Sequence, residues 1–561
     1  MAMYYLGVDV GTGSARVAVM DNHGAVKGLS VEAIETHHPV SDIYEQSTDN
    51  IWASIVKATH QAMAQAHTTP DAIKGIGFDA TCSLAVLDRY GQPLSVNQAS
   101  DFQDHHWNVI LWADHRAVDQ ASRINATGHP VLRYVGNAIS PEMEIPKTLW
   151  LKENVPPAHW QAIGDLMDLP DYLTFRATGQ RHRSACSLVC KCSYTPSPDR
   201  PQGAWDPTFF HAIGLACMAD DHCLLGGDPQ DEQQQVLLAG DRVEQGLSER
   251  AAEELGLLPG TPVGSPVIDA YAGAIATLGA GASSTQDLSH RLAIICGTSS
   301  CHIALSPEPI FVQGVWGPYP SVMLPGLWCA EGGQSSTGQL IDHVLATHPA
   351  IEQARQLAQA QHCDIYTFLN AHIASLTQKL NLVHWSLLTR QVHVYPDFHG
   401  NRSPLADPAR RGTIVGLTLD TSVDDLALHY LATLQALACQ TKHILTALND
   451  QGYTINTLCL SGGLCKNPLF VQCHADITGC PVILPESIDA AVVLGAAILG
   501  ARAAHQQDLW QVMCQLGKPG ATLHPTTDPQ LVHYHQQRYR VFLELLADQK
   551  KYDTIMAISS P

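Results

Sequence analysis

The sequence lacks the residue patterns of several common metal and targeting sites. It contains 16 cysteines but no pair of CxxC knuckles, which excludes the usual structural zinc site, and none of its 29 histidines lies in a HExxH motif. No uninterrupted apolar run reaches about 18 residues, the length that spans a membrane, and residues 4–8 predict a strand where a leader would begin. We therefore expect surface or hydrogen-bonded histidines, reduced thiols and a cytoplasmic protein.

Positive charge is also scarce. The chain has 32 Lys and Arg against 53 Asp and Glu, a net charge of −21, which repels nucleic acids and anionic membranes. We expect neither as a partner. A bound nucleotide must then be held by local groups such as loop amides, helix ends and a metal ion. The 561 residues, of which 45% are hydrophobic, are enough for three to four ordinary domains or two large ones.

The first segment that could carry chemistry is a hairpin near the start of the chain. Two β-type runs, residues 4–10 and 16–20, flank the turn Gly11-Thr12-Gly13-Ser14. The turn is not a P-loop, because no Gly-Lys-Ser/Thr follows it, and a third glycine for a dinucleotide site is absent. Its amides and hydroxyls suit phosphate oxygens, and Asp9 before it suits a hydrated Mg²⁺. A hairpin turn without a ligand is the alternative.

The same arrangement recurs in the second half of the chain. Residues 292–305 again read as an apolar strand, a Gly297-Thr298 turn and a second apolar strand. A repeated loop type predicts two similar domains facing each other across a cleft, although two hairpins that merely share turn residues would look alike. Helical patterns alternate with apolar strands, as in an α/β protein. Small residues at 274–286 suggest the linker, and residues 531–551 predict a helix that packs on one lobe.

Two further segments place polar or small residues directly after apolar strands. Asp269 follows residues 264–268 and precedes a small-residue helix, where it could accept a proton in phosphoryl transfer or serve as an N-cap. Gly462 and Gly463 follow an apolar strand, where they allow close approach to a base or a phosphate, or simply a tight turn.

These segments together resemble the FGGY family of carbohydrate kinases, relatives of actin and hexokinase. The resemblance runs from Gly7 to about Gly500, and it includes the Trp112-Ala113-Asp114-His115-Arg116 segment besides the four segments above. It implies an α/β fold of two actin-like, ribonuclease H-like domains with an interdomain cleft. The implied bounds are 1–275 for the sugar-binding domain, 276–505 for the nucleotide-binding domain and 506–561 for a C-terminal helical extension.

Within this family the chain is most similar to the ribulokinase branch. The similar segments are residues 77–84 (GFDATCSL), 268–273 (IDAYAG) and 396–404 (PDFHGNRSP), with Ala85 as a departure from the expected Val. The resemblance implies phosphorylation of D-ribulose to D-ribulose 5-phosphate with ATP and Mg²⁺. Another ketose or polyol (L-ribulose, xylulose, ribitol or glycerol) and an actin- or chaperone-like nucleotide switch are the alternatives. A homodimer is also expected.

The resemblance assigns roles to individual residues. Asp269 is the expected catalytic base, and Asp9 and Asp269 are the expected metal ligands. The expected substrate-binding residues are Thr81, Cys82, Asp114, Lys191, Asp269 and Glu331, and the expected nucleotide-binding residues are Thr12, Ser14, Thr298, Gly462, Gly463 and Asn467. For Lys191 the alternative is a surface lysine on an edge strand, and for Glu331 it is a cap on the turn before Gly332.

Overall fold

The computed structural model describes residues 3–197, 199–219, 222, 224–227, 235–282 and 288–557. Strands and helices alternate along most of the chain, so the predicted α/β class is confirmed. The strands are β1 Tyr4–Val10, β2 Ser14–Asp21, β3 Val26–Ala33, β4 Glu45–Gln46, β5 Ile73–Ala80, β6 Leu84–Asp88, β7 Val109–Ile110, β8 Ile163–Asp168, β9 Arg183–Ser184, β10 Thr195–Ser197, β11 Arg200–Ala204, β12 Val236–Leu237, β13 Arg242–Val243, β14 Val263–Ile268, β15 Arg291–Cys296, β16 Ser300–Ser306, β17 Trp316–Pro320, β18 Trp328–Gln334, β19 His393–Tyr395, β20 Thr413–Val415, β21 Thr457–Ser461, β22 Val482–Pro485 and β23 Pro519–Leu523.

The helices range from short connectors to two long rods. They are α1 Thr48–Gln65, α2 Val118–Ala126, α3 Glu144–Asn154, α4 Pro157–Ala162, α5 Leu169–Thr178, α6 Ala185–Lys191, α7 Pro207–Ile213, α8 Glu249–Leu255, α9 Asp269–Leu278, α10 Gly338–Thr347, α11 Ile351–Ala360, α12 Ile365–Lys379, α13 Val423–Asp450, α14 Pro468–Thr478, α15 Ala491–His505, α16 Leu509–Leu516 and α17 Pro529–Met556.

The chain forms two compact units, each built from separate stretches of sequence. The first unit comprises residues 1–289, 303–331 and 485–519, and the second comprises residues 290–302, 332–484 and 520–561. The bounds drawn from the resemblance stay a prediction.

The first unit is organised by a six-stranded sheet in the order β13-β14-β5-β1-β2-β3. The predicted hairpin is present, since β1 and β2 pair antiparallel. Strand β5 runs parallel to β1 on one side and to β14 on the other. Parallel strands end at the same edge of a sheet, and ligands of open α/β sheets bind beyond that edge. A ligand-binding site is therefore expected at the carboxyl ends of β14, β5 and β1.

Helix α15 packs directly on the backbone of this sheet. The strands present Gly7, Gly75 and Gly77 to it, and a Cβ at any of them would lie 1.9–2.1 Å from a carbonyl oxygen of the helix. The segment Ile488–His505 is long and apolar enough to span a membrane, with a mean hydropathy of 1.4, but 67% of it is buried inside the protein. Its contacts make it a core helix of the first unit.

The second predicted hairpin is present, formed by β15 and β16, and its residues 291–302 belong to the second unit. Strands β15, β21 and β22 are parallel neighbours. The predicted long helix before β21 is α13, and its apolar face is buried. The predicted C-terminal helix is α17, whose Arg538 guanidinium donates to the carbonyl oxygen of Thr389 at 2.5 Å within this unit.

The expected linker at residues 274–286 is partly wrong. Residues 274–278 belong to α9, and Ala274, Ile275 and Leu278 are completely buried there. Small residues at this position allow close helix packing, because a Cβ on Gly495 of α15 would lie 2.0 Å from the Ala272 carbonyl oxygen. Residues 283–286 lie outside the described residues.

Candidate active site

The ends of three neighbouring strands in the first unit carry acidic residues. Asp9 of β1 lies opposite Asp79 of β5. On the other side of β5, Ile268 of β14 pairs with Ala80, and Asp269 follows as the first residue of α9. Because these strands are parallel, the sheet gathers three carboxylates from distant parts of the sequence at one edge.

Asp79 is the member of this group that the sequence analysis did not assign. Its side chain is completely buried, no donor group among the described residues reaches its carboxylate oxygens, and its carboxyl group lies within hydrogen-bonding reach of Asp9. Burial, reinforced by the negative charges of Asp9 and Asp269, raises its pKa well above the ordinary value. Like Asp9, it follows an apolar strand run, and that shared position is the signal that could have identified it.

Asp9 lies in a similarly dry environment. It is 3% exposed, and burial raises its pKa, whereas the Arg16 guanidinium, 3.6 Å away, lowers it. Carboxylates held together without enough partners repel one another, and an added cation relieves that repulsion. An all-oxygen donor set of this kind fits Mg²⁺.

Asp269 differs from its two neighbours because it is only half-buried. The residue before α9, Ile268, occupies the N-cap position, so Asp269 is not the cap, although its Oδ1 accepts a hydrogen bond from the Ala270 N–H at 2.7 Å. Burial and the charge of Asp9 raise its pKa to about 7, while the Ala270 N–H and the Lys191 ammonium lower it. A carboxylate with such a pKa can accept a proton near neutral pH.

Lys191 and Glu331 form a buried pair in the same unit. The Lys191 Nζ lies 3.6 Å from Glu331 Oε2, and both side chains are at most 5% exposed. Lys191 ends helix α6 and Glu331 lies in β18, so neither the surface lysine nor the turn cap considered above is correct. The ammonium also lies 4.5 Å from the centre of the Trp316 ring.

Tyr271 connects this pair to the helix that begins with Asp269. Its hydroxyl donates to Glu331 Oε2 at 2.9 Å and accepts from the Cys190 thiol at 3.2 Å. Tyr271 is completely buried. It therefore orients Glu331, a role that the sequence analysis did not assign although the residue lies in the IDAYAG segment.

Thr81 and Cys82 lie in the turn that follows β5. The Thr81 N–H donates to the carbonyl oxygen of Val10 at 3.0 Å, and the Ser83 N–H donates to Asp168 Oδ1 at 2.9 Å. These bonds hold the turn at the carboxyl ends of the strands. Burial raises the pKa of the Cys82 thiol, so the group stays neutral.

The Asp114 carboxylate is bound by other groups of the protein itself. Its carboxylate is completely buried, lies 2.7 Å from Arg116 Nη2 and accepts the backbone N–H groups of Tyr44 and Arg116. Both oxygens are thus used, which favours a role in shaping the segment. Direct contact between Asp114 and a sugar stays a prediction.

The first hairpin loop is open to solvent at its tip, with Thr12 and Gly13 exposed. The Gly11 N–H donates to the Ser14 carbonyl oxygen at 3.0 Å, which closes the turn. The Thr12 hydroxyl accepts from the Trp112 indole N–H at 3.0 Å, and its carbonyl oxygen accepts from Gln46. The loop is therefore held in shape while its tip stays accessible.

The second hairpin loop is held on the start of helix α10 in the second unit. The Thr298 carbonyl oxygen accepts from the Thr337 N–H at 2.9 Å, and the Gly297 carbonyl oxygen accepts from the Gly338 N–H at 3.1 Å. Gly297 and Thr298 are both exposed. As in the first hairpin, backbone hydrogen bonds hold the loop while its tip stays exposed to solvent.

The glycines after β21 have different surroundings. Gly462 has a φ of +98°, and a Cβ there would lie 2.4 Å from the Cys296 carbonyl oxygen, whereas a Cβ on Gly463 would meet nothing within 4 Å. Asn467 caps α14 and donates to the Tyr430 hydroxyl at 2.6 Å. The open side of Gly463 leaves room for a ligand.

A matched pair of substitutions tests these two glycines. We expect Gly462→Ala to lower the unfolding midpoint, because a side chain is disfavoured at this φ and collides with backbone. We expect Gly463→Ala to leave the midpoint unchanged. Thermal unfolding of both variants checks this, and equal midpoints for the two variants would contradict it.

Among the described residues, His348, Asp425 and His429 form one group with ligand atoms close enough for a metal ion. The Ala350 N–H donates to His348 Nδ1 at 3.1 Å, which places the imidazole proton on Nε2. That nitrogen lies 3.0 Å from Asp425 Oδ2. The arrangement is a hydrogen-bonded His348–Asp425 pair. Because His348 Nε2 carries the proton in this tautomer, it cannot ligate a metal ion.

Comparison with known proteins identifies the family. The model of the FGGY carbohydrate kinase N-terminal domain matches residues 4–276, and the model of the C-terminal domain matches residues 292–504. The chain is 46% identical to an FGGY carbohydrate kinase domain-containing protein of Xenopus laevis, covering 99% of this chain and 98% of the relative. It is 40% identical to a D-ribulokinase of Saccharomyces cerevisiae, covering 90% of this chain and 73% of the relative.

A solved structure shares the fold. The xylulose kinase of Rhodospirillum rubrum superposes with a TM-score of 0.75 at 18% identity, covering 98% of this chain and 99% of that chain. Both predicted phosphate hairpins and Asp269 fall within the matched family domains. The chain belongs to the FGGY family of carbohydrate kinases and is an ATP-dependent sugar kinase.

Proposed function

We propose that this kinase transfers phosphate from ATP to the terminal hydroxyl of D-ribulose, giving D-ribulose 5-phosphate. The observation that carries the proposal is that Asp269, with a pKa of about 7, lies where the Lys191 ammonium acts on it, and Lys191 is paired with Glu331. A proton acceptor beside buried hydrogen-bonding charges suits a polyhydroxy substrate.

The choice of a pentulose rests on two supports. Buried charged groups discriminate hydroxyl positions better than apolar walls do, because a wrong stereoisomer leaves them unpaired. The relative in Saccharomyces cerevisiae is named a D-ribulokinase and is 40% identical over most of this chain.

In the proposed mechanism Asp269 accepts the proton of the terminal hydroxyl. The hydroxyl oxygen then bonds to the γ-phosphorus of ATP as the bond to the ADP oxygen breaks. Asp9, with Asp79 and Asp269 beside it, would hold Mg²⁺, which would spread the charge of the transferring phosphoryl group. Lys191 and Glu331 hold sugar hydroxyls and so orient the attacking oxygen.

The nucleotide is assigned to the two hairpins and the glycine turn. The loop amides and hydroxyls at Thr12, Ser14 and Thr298 are proposed to contact phosphate oxygens. Gly463, with its open side, is proposed to lie against the adenosine, next to Gly462. Asn467 supports that turn through its bonds to neighbouring side chains.

A substrate panel tests the proposed function. ADP release is measured with D-ribulose, L-ribulose, D-xylulose, ribitol and glycerol, each with Mg²⁺ and with the metal chelated. We expect the highest kcat/KM for D-ribulose and no turnover without the metal. A clear preference for another compound overturns the choice of sugar, and ADP release without any sugar would favour a nucleotide switch.

A homodimer and a cytoplasmic location are proposed with this function. Size-exclusion chromatography with light scattering measures the first, and fractionation of cells measures the second.

A further inference from the structure

Trp112 joins two segments of the first unit that are far apart in the sequence. Its indole N–H donates to the Thr12 hydroxyl at 3.0 Å, across 100 positions of sequence. Trp112 is half-buried, whereas Thr12 is exposed at the tip of the first hairpin loop. A side chain from outside the hairpin therefore holds the loop at the point where it is open to solvent.

The chemistry of the two groups fixes the direction of this hydrogen bond. An indole N–H can only donate, whereas a hydroxyl has one proton to donate and two lone pairs that accept. The Thr12 hydroxyl therefore accepts from Trp112 and keeps its own proton for another acceptor. Within the described part of the chain, the hydroxyl makes this one hydrogen bond. Because hydrogen bonds in a chain polarise one another, the hydroxyl also becomes a better donor.

The segment that carries the indole is held in place by its own bonds. The Trp112 backbone N–H donates to the Ser83 hydroxyl at 3.2 Å, and that hydroxyl lies 3.1 Å from the Thr81 hydroxyl. Two positions further on, the buried Asp114 carboxylate accepts from the Arg116 backbone N–H at 3.0 Å. These bonds keep the indole donor in one position relative to the turn after β5.

The second hairpin loop is held differently. Its Thr298 accepts through the carbonyl oxygen, from the Thr337 N–H at 2.9 Å. Among the residues that the structure describes, the Thr298 hydroxyl has no partner comparable to Trp112. Of the two loops, the first is thus the one in which a side-chain hydroxyl is oriented as well as the backbone.

A phosphate oxygen matches the proton that the Thr12 hydroxyl keeps. Hydrogen bonds to a charged acceptor are roughly twice as strong as bonds between neutral groups. A hydroxyl that already has a fixed orientation also loses less freedom when the ligand binds than one that rotates. The exposed tip leaves the Thr12 side chain accessible to such a ligand.

We propose that Trp112 is a positioning residue for ATP, because its indole N–H occupies a lone pair of the Thr12 hydroxyl and so directs the hydroxyl proton to a phosphate oxygen. This inference rests on the proposed function, which assigns Thr12 to the nucleotide phosphates. It gives the segment that carries the expected substrate-binding residue Asp114 a second task, on the nucleotide.

A double-mutant cycle tests the proposal. Trp112→Phe removes the donor but keeps an aromatic ring, and Thr12→Val removes the hydroxyl but keeps the size. At saturating sugar, we expect Trp112→Phe to lower kcat/KM for ATP roughly 3- to 10-fold and Thr12→Val to lower it roughly 10- to 100-fold. When Thr12→Val is already present, adding Trp112→Phe should change kcat/KM for ATP by less than about twofold, because the bond that it removes no longer exists.

Two control variants separate orientation of the hydroxyl from packing. Trp107→Phe makes the same change at a half-buried tryptophan that stacks on His37, with ring centres 5.0 Å apart, and should keep the wild-type kcat/KM for ATP. Thr12→Ser keeps the hydroxyl and should keep the full effect of Trp112→Phe. Thermal unfolding of every variant checks that it is folded, and Trp112→Leu, which also lacks a donor, replaces Trp112→Phe if that variant does not fold.

Different outcomes overturn this inference and the proposed function. If Trp112→Phe has the same effect with and without Thr12→Val, or changes only KM for the sugar, the inference is overturned while the phosphate contact of Thr12 stands. If Thr12→Val keeps the wild-type kcat/KM for ATP, both are overturned. If the substrate panel selects another sugar, the cycle is run at saturating concentrations of that sugar, so the result does not depend on the choice of D-ribulose.

Discussion

Replacing Asp269 with asparagine is expected to lower kcat by about 10³-fold, within the range of 10² to 10⁴ that positioned acid–base groups contribute. The amide keeps the size and the bond to the Ala270 N–H but cannot accept the substrate proton. KM for ATP should change much less than kcat, because the direct nucleotide contacts are assigned to other residues and Asp269 would act on the nucleotide only through Mg²⁺. The measurement is ADP release under saturating sugar, with nucleotide affinity determined separately by calorimetry.

The exposed Asp119→Asn, in the first turn of α2, is the matched control and should retain wild-type kcat. A kcat for Asp269→Asn within about threefold of wild type is far outside the expected range and would remove Asp269 as the base.

The pH dependence of kcat/KM tests the role of Asp269 as the base independently of the substitution. The pKa of Asp269 is raised to about 7, so the carboxylate that must accept the proton is lost as the pH falls through 7. Wild-type kcat/KM, measured at a fixed Mg²⁺ concentration, should therefore decline on the acidic side, and raising Mg²⁺ from a limiting to a saturating concentration should shift the decline to lower pH because a cation favours the charged form. A flat profile between pH 5 and pH 8 would contradict this assignment.

The second large effect is on stability. Gly77→Ala is expected to lower the free energy of unfolding by about 3 kcal/mol or more, at or beyond the upper end for an overpacked core. The added Cβ would lie 2.1 Å from the Ala496 carbonyl oxygen and 2.8 Å from the Gly500 amide nitrogen. Both contacts are with backbone of the core helix α15, so relief requires the helix to move away from β5. Urea unfolding measures the change.

Gly13→Ala is the stability control, because a Cβ there meets nothing within 4 Å. Its unfolding free energy should equal that of the wild type. If Gly77→Ala unfolds at the same urea concentration as Gly13→Ala, the close approach of α15 to β5 is not tight enough to matter.

Local patterns in the sequence were sufficient for several elements. The hairpins around Gly11-Thr12 and Gly297-Thr298 could be predicted because a strand–turn–strand unit is specified by neighbouring residues. Asp269 could be identified because it follows an apolar strand and precedes a helix. The long helix α13 could be predicted from its apolar period. The linker could not be located from the sequence, because small residues are compatible with both a loop and a closely packed helix.

Pairing and burial decided the remaining assignments. Asp79 joins Asp9 only through the register of β5 on β1, which brings together residues 70 positions apart. Asp114 is engaged with Arg116 and the Tyr44 N–H, a fact that no short motif states. Tyr271 meets Glu331 across 60 positions of sequence.

By itself the sequence determined the family, the α/β class, the paired Gly-Thr turns and the position of Asp269. Only the tertiary structure decided which other carboxylates lie beside it and which buried charges remain unpaired. The physical reason is that a motif depends on neighbouring residues along the chain, whereas desolvation and repulsion depend on what surrounds each group in space. Asp79 illustrates this, since its raised pKa comes from burial and from the charges of Asp9 and Asp269, which only the folded protein brings beside it.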